Sequence, residues 1–420
     1  MRQMKDSGIE WIGAIPANWD IHPVYFYFSE RKNKNIFGTE QNLLSLSYGN
    51  VIRKDINTVG GLLPESFNTY NIIEENDIVI RPTDLQNDKR SLRTGLCKEH
   101  GIITSAYIAL KPIRSASIVN ASYVHYLLHT YDIMKVFYNM GNGVRQGLNF
   151  TEFSKLMIFI PPIEEQKAIA DYLDILCADV DSLVADIQAQ IESLEQYKRS
   201  VITEAVTKGL NLDAEMKDSG VQWIGMMPSH WDCQRGKYIL RYLQKPVRDD
   251  DGVITCFRDG EVTLRSNRRE EGFTMADKEI GYQGIDVGDL VVHGMDGFAG
   301  AIGISDSRGK ASPVLNVLET KQNKRYIMYY LRSMAYNDVF VALATGIRVR
   351  SCDLRWNKLA ELLYPLPPVD EQEAIVEYID SVLERTNAVI ADKKQQIETI
   401  EEYKKSLIFE YVTGKKEVNA

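Results

Sequence analysis

The chain is written twice, and that constrains its fold more than any other feature. Residues 4–20 (MKDSGIEWIGAIPANWD) and 216–232 (MKDSGVQWIGMMPSHWD) agree at 11 of 17 positions, including two Trp and two Gly in register. Residues 161–174 (PPIEEQKAIADYLD) and 367–380 (PPVDEQEAIVEYID) agree at 8 of 14. Weaker echoes follow: Ile191, Glu192, Glu195, Tyr197, Lys198 and Ser200 recur as Ile397, Glu398, Glu401, Tyr403, Lys404 and Ser406. Between these blocks lie two segments, roughly 21–160 and 233–366, with almost no shared sequence. Like flanks around unlike cores imply one scaffold, duplicated, carrying two different heads.

The block after each double proline reads as a long helix. Proline resists helix propagation, so the helix starts just after it, and Glu164 and Glu165 then favour the positive end of the dipole. Ile169, Leu173, Leu176, Val180, Leu183 and Ile187 alternate steps of four and three, a heptad seam. It resumes after Ile191 at Leu194, Tyr197, Val201 and Ala205, and Gly209 is a natural stop. The second copy runs Ile375, Ile379, Val382, Thr386, Val389, Lys393, Ile397, Ile400, Tyr403, Leu407 and Tyr411, with Gly414 as its stop. Either the two helices pair as an intramolecular, antiparallel coiled coil, which is the more economical solution, or each lies along its own globular domain.

The heads read as mixed α/β. Segments 42–54, 76–82 and 101–112 carry β-rich apolar runs broken by Gly, Pro and Asp, and 121–140 has helical spacing. The second head repeats the order, with strands in 287–294 and 300–306 and a helix over 323–343. A shared head fold is expected despite the unlike sequences.

These residues carry a family resemblance. The W-I-G-x-x-P-x-x-W arm, the PP-(I/V)-(E/D)-E-Q helix start and the two dissimilar segments together resemble the specificity subunit of a type I DNA restriction–modification enzyme, over essentially the whole chain. The resemblance implies an α+β fold: two mixed α/β target recognition domains in pseudo-twofold arrangement, separated by a long antiparallel coiled coil of two helices. The corresponding division is an arm (1–20), recognition domain one (21–160), spacer helix one (161–212), a second arm with recognition domain two (213–366), spacer helix two (367–414) and a tail (415–420). It further implies that each domain reads one half of a bipartite target in double-stranded DNA. Two methyltransferase subunits, and two ATP-dependent translocase–nuclease subunits, are the implied partners. S-adenosylmethionine, ATP and Mg2+ would enter through those other subunits, with no cofactor on this chain. A related system with a fused nuclease–methyltransferase partner, and a coiled-coil adaptor for proteins, are the alternative readings.

The residues themselves argue against catalysis. There is no Asp-Pro-Pro-Tyr-type methyltransferase motif, and Gly309-Lys310-Ala311 lacks the upstream Gly and the hydroxyl residue of a phosphate-binding loop. His125 and His129 stand at i, i+4, which could place two metal ligands on one face; no third ligand accompanies them, and packing explains them better. Five widely spaced cysteines without a CxxC suit a reducing compartment. No signal peptide or run of about 18 apolar residues is evident, so a soluble, cytoplasmic protein is expected.

Candidate DNA contacts follow from side-chain chemistry: Lys and Arg for phosphates, Arg, Asn, Gln and Asp for base edges. In the first head they are Arg81, Thr83, Asp84, Gln86, Asn87, Lys89, Arg90 and Arg93, then Arg145 and Gln146 between glycines, with Ser47, Tyr48 and Arg53 ranked behind them. In the second head they are Arg258, Arg265, Asn267, Arg268, Arg269, His293, Asp296, Arg308, Lys310, Arg348 and Arg350. The alternative for such stretches is an ordinary solvated loop, and for Arg268 and Arg269 surface pairing with Glu270 and Glu271. The repeated Trp11, Trp19, Trp223 and Trp231 could stack on bases, but an element common to two unlike heads is better read as packing.

Charge supports this division of labour. The net charge of −9 speaks against a plain basic nucleic-acid binder, yet 21–150 and 233–366 each carry +3, whereas 164–215 carries −8 and 370–420 carries −5. The acidity lies on the helices.

Overall fold

The computed structural model describes residues 2–57, 64, 66–83, 85, 92–138, 140, 147–268, 280–343 and 354–418. The chain forms two compact units, residues 1–186 with 395–420 and residues 187–394. Each takes one head, one arm and half of each long helix.

In the first unit the arm is a hairpin of Met4–Asp6 against Ala14–Pro16, followed by Asp20–Pro23 paired antiparallel with Met157–Ile160. The head holds an antiparallel four-stranded sheet in the order Phe28–Glu30, Ile108–Pro112, Ile78–Ile80, Thr94–Leu96. Ile78, Val79 and Ile80 are all fully buried, which explains a continuous β-branched run where an alternating one would mark a half-exposed strand. A hairpin of Leu44–Ser47 with Asn50–Arg53 and a pair of Asn71–Ile73 with Gly101–Ile103 flank this sheet. The second unit repeats every part. Its sheet runs Leu240–Leu243, Leu315–Thr320, Leu290–His293, Ile302–Ile304, and its hairpin is Ile254–Cys256 with Val262–Leu264. Parallel bridges Leu43–Ile102 and Val253–Lys310 set the two hairpins in equivalent places within their heads. The shared head fold expected from element order is present.

The head helices are shorter than the periodicity suggested. The first spans Ala121–Ile133, capped by Asn120 Oδ1 accepting from Tyr123 N at 2.9 Å. It stops before Lys135, whose φ of +57° leaves the helical region. The second spans Lys324–Tyr336 and is interrupted at Asp338, φ +54°, before a short turn at Val339–Ala342. Apolar spacing continues through both breaks because the chain keeps packing on the same core after the helix ends.

The long helices are Ile163–Lys208 and Val369–Val412. Gly209 (φ +73°) and Gly414 (φ +68°) adopt the left-handed conformation that ends them. They run antiparallel within each unit. In the first, Tyr172 meets Tyr411 and Asp181 accepts from Lys404 at 2.6 Å; in the second, Lys393 donates to Gln190 while Gly209 lies beside Glu371. The seam is closed nearest the heads, at Ile169, Leu173, Val206, Ile375, Ile379 and Val412. Away from them burial alternates: Val180, Ile187, Ile191, Val382 and Ile390 stay buried, whereas Leu183, Tyr197, Val389 and Tyr403, all expected in the seam, are exposed. Two helices alone cover only a narrow stripe of each other, so between the heads only the innermost seam residues stay dry. Thr386, a polar seam position, is buried and satisfied by donating to Val382 O at 2.7 Å.

Candidate nucleic-acid interface

The repeated motifs are the means by which each head is fastened to its helices. Trp19 and Trp231 are fully buried and donate their indole N–H to Glu165 and Glu371, each at 3.1 Å. Arg2 grips Glu165 from the other side with Nη2 at 2.7 Å from Oε2, and His230 meets Glu371 at 2.8 Å. The next residue ties in the head. Gln166 accepts from Asn120 N (2.8 Å) and donates to Ile118 O (2.9 Å) and Pro161 O (2.8 Å). Gln372 accepts from Asn323 N (3.0 Å) and donates to Gln322 Oε1 (2.7 Å) and Pro367 O (2.9 Å). Tyr123 and Tyr326 each donate toward one strand carbonyl and one long-helix carbonyl. Tyr126 bonds Asp174 and Tyr329 bonds Asp380. The buried Trp19 and Trp231 therefore pack and do not stack on bases.

His125 and His129 are buried too. Burial pushes the first down to about 4, and burial together with His125 and the lysines 404, 405 and 135 pushes the second down to about 3. Both imidazoles are neutral packing groups, and no cluster of three potential metal ligands occurs among the described residues.

What differs between the heads is the surface beyond these fastenings. In the second head the loop Arg258–Gly260 closes the hairpin, with Phe257 N donating to Glu261 O and Gly260 at φ +92°, a three-residue turn with a left-handed glycine. Arg258, exposed over 68% of its side chain, pairs with Asp296 at 2.9 Å. Arg268 lies over the Phe257 ring and pairs with Asp259 and Glu261. Burial alone would raise Asp259; the Arg268 hydrogen bond, the Glu261 N–H and the charges of Arg268 and Arg332 reverse this and hold it low. His293 is kept down by burial, and its Nδ1 accepts from Met295 N and Asp296 N, which orients the strand end. Arg258, Arg268, His293 and Asp296, scattered over 39 positions of sequence, thus meet around one hairpin tip. The tip borders a cleft of about 900 Å³ lined by Lys198, Arg199, Arg258, Arg332 and Tyr336, with Glu195 and Asp259. Arg332 donates to Asp259 O at 2.7 Å and to Tyr336 Oη at 2.8 Å, and Arg199 sits over the same ring. Arg199 and Arg332 were not among the sequence candidates. Their only sequence signal is Arg332–Tyr336 at i, i+4, which is common on any helix. Solvated ion pairs such as Arg258–Asp296 hold together by less than about 1 kcal/mol, so they open readily for a stronger anion such as phosphate.

The remaining candidates separate. Arg265 and Asn267 follow the hairpin and bond Thr255 and Thr263. Arg308 stands in a separate network, paired with Asp251 at 2.8 Å and Asp286 at 2.6 Å, with Lys245 joining Asp286 and Asp289. Lys245 and Arg308 pull Asp286 down to about 2, so this network reads as a structural staple. Lys310 is half-buried on the strand Gly309–Ala311. In the first head Arg81 and Thr83 are half-buried. Arg93 is 0% exposed, which corrects its expected place at the DNA surface. Its Nε donates to Tyr138 Oη at 2.9 Å, its guanidinium also reaches Thr83 O, and it lies over the Tyr138 ring. A fully buried guanidinium with these partners organises the loop base and cannot reach a phosphate. Asp84, Gln86, Asn87, Lys89, Arg90, Arg145, Gln146, Arg269, Arg348 and Arg350 lie outside the described residues.

The chain is similar to known proteins in sequence and in fold. The family model for the type I restriction modification DNA specificity domain matches residues 59–193. The chain is 25% identical over 361 residues to the type I restriction enzyme MjaVIII specificity subunit of Methanocaldococcus jannaschii, covering 82% of this chain and 80% of that one. It is 26% identical over 271 residues to the EcoBI specificity subunit of Escherichia coli, covering 55% and 54%. A chain from a solved structure concerned with assembly and conformational transition of the type I restriction–modification system superposes with a TM-score of 0.65 at 12% identity, over 96% of this chain and 99% of that one. At that identity the likeness is one of fold.

Proposed function

We propose that the chain is a specificity subunit of a type I restriction–modification system, as its similarity to such subunits supports, that each head reads one half of a bipartite sequence in double-stranded DNA, and that the chain directs adenine methylation and DNA cleavage carried out by partner subunits. One observation carries this reading: two heads fastened to their helices by the same Trp–Glu, Gln and Tyr contacts present unlike hairpin tips. A scaffold that repeats its fastenings and varies its tips is suited to addressing two different half-sites with one mode of mounting.

The chain's residues divide the work accordingly. Arg258, Arg268 and the cleft cation Arg332 supply phosphate and base-edge donors in the second head. The acidic long helices keep DNA off the spacer and leave it to methyltransferase subunits, two per chain, with translocase–nuclease subunits joining them. S-adenosylmethionine, ATP and Mg2+ act on those partners. No helix among the described residues is long and apolar enough to cross a membrane.

The test is a head exchange. The chain is expressed with its methyltransferase partner, and methylated adenines are mapped by long-read sequencing. Replacing residues 21–160 with another member's first head should change one half of the methylated motif and leave the other. Change in both halves, or in neither, would refute modular reading.

A further inference from the structure

The equivalent hairpins of the two heads end differently, and the first ends on a strained aromatic. Ser47 pairs with Asn50, leaving Tyr48-Gly49 as a two-residue turn. Tyr48 has φ +47° and Gly49 φ +82°, the pattern that favours Asn-Gly because both residues must be left-handed. Tyrosine there costs about 1–2 kcal/mol of backbone strain. Nothing in packing offsets it: Tyr48 is 84% exposed. A large ring held in water on a strained turn stabilises neither strand nor core, which points to a partner outside the fold.

Its surroundings indicate what that is. The turn sits over the stretch that follows the basic loop of the first head: a Cβ on Gly49 would lie 3.2 Å from the Leu92 side chain and 3.7 Å from Thr94 O. Arg53, on the same hairpin, is exposed and pairs with Glu99. In the second head the equivalent tip carries Arg258. One mounting thus presents a charged donor in one head and an aromatic face in the other. Arginine hydrogen-bonds guanine edges, whereas an aromatic ring makes apolar contact with base edges such as the thymine methyl.

We propose that Tyr48 is a specificity-determining residue of the first head, its ring pressed against a nucleobase of the first half-site in duplex DNA. This rests on the functional reading above. The left-handed turn aims the ring away from the head, and Arg53 holds the hairpin beside the backbone of the same duplex.

The strain makes the test discriminating. Tyr48→Asn places the preferred residue in the turn, so the variant should melt no lower than wild type. In the assembled methyltransferase complex it should nonetheless bind a duplex carrying the mapped motif about tenfold more weakly, the loss of a single base contact. The methylated motif should become degenerate at one or two positions of the first half only. Tyr48→Phe, which keeps the ring, should retain both affinity and motif. Unchanged affinity and motif in Tyr48→Asn would overturn the proposal, as would a lowered melting temperature (a structural role) or loss of methyltransferase from the complex (a protein-docking role). A wild-type complex that methylates no defined sequence would overturn the functional reading together with this one; a defined bipartite motif indifferent to residue 48 would overturn this one alone.

Discussion

Gln166→Leu is the sharpest probe of how the heads are fastened. Leucine nearly matches glutamine in volume, so the change removes hydrogen bonds without opening a large cavity. Three backbone groups lose their partner: Asn120 N–H, Ile118 C=O and Pro161 C=O. Gln166 is fully buried, and an unsatisfied buried polar group costs about 1–3 kcal/mol. Added apolar burial returns about 1–2 kcal/mol, leaving a net loss of about 3 kcal/mol. In a domain of this size that lowers the melting temperature by about 6–12 °C. Gln372→Leu is the internal control. It too strips a backbone N–H, at Asn323, and a carbonyl, at Pro367. Its third partner is the Gln322 side chain, which can turn to water, so its cost should be smaller, about 2 kcal/mol. Urea unfolding gives both values, and amide exchange at Asn120–Val124 reports the first site directly. A loss below about 0.5 kcal/mol in Gln166→Leu, or unchanged protection at Asn120, would refute the reasoning that this residue holds the head helix to the spacer.

Other expectations follow from the same contacts. His125 and His129 are neutral when folded and titrate near 6.5 when unfolded, so the unfolded state binds more protons as pH falls; stability should be level above pH 6.5 and decline between about 6.5 and 4, where His125 titrates, and His129→Phe should flatten that decline in a pH series of unfolding curves. Arg93→Met should lower stability by about 2 kcal/mol while leaving the salt dependence of DNA binding by the complex unchanged, because the guanidinium is inside the head; a reduced slope would return Arg93 to the interface. Arg258→Ala should weaken binding by about 1–3 kcal/mol and relax only the second half of the motif, read by anisotropy titration and methylome mapping; relaxation of the first half would contradict its place on the second head.

The division between sequence and structure follows from what each kind of signal encodes. Chain duplication shows when the sequence is set against itself, and helix starts just after Pro162 and Pro368, stops at Gly209 and Gly414, and the β character of Ile78–Ile80 are local properties, set by propensity and periodicity within a few residues. They could be read directly. The purpose of the PP-x-x-E-Q block could be recognised as shared, yet its mechanism could not be derived: Glu165 meets Trp19 across 146 positions and Gln166 meets Asn120 across 46. The seam was over-read for a related reason. Spacing places Leu183 and Val389 on the seam face, but only the packed pair shows that Ile187, Ile191 and Ile390 are dry while Leu183 and Val389 sit at the exposed margin of that stripe. Charge type was a poor guide to exposure, since arginine serves a buried ring and carbonyl at Arg93, a staple at Arg308 and an open tip at Arg258. Conversely, Tyr48 ranked low because tyrosine is ordinary in sequence; only its backbone angle and its solvent exposure set it apart. The sequence by itself determined that there are two heads on one repeated scaffold. Tertiary structure alone decided which side chains face outward, because burial is a property of neighbours distant in sequence, brought together only when the chain folds.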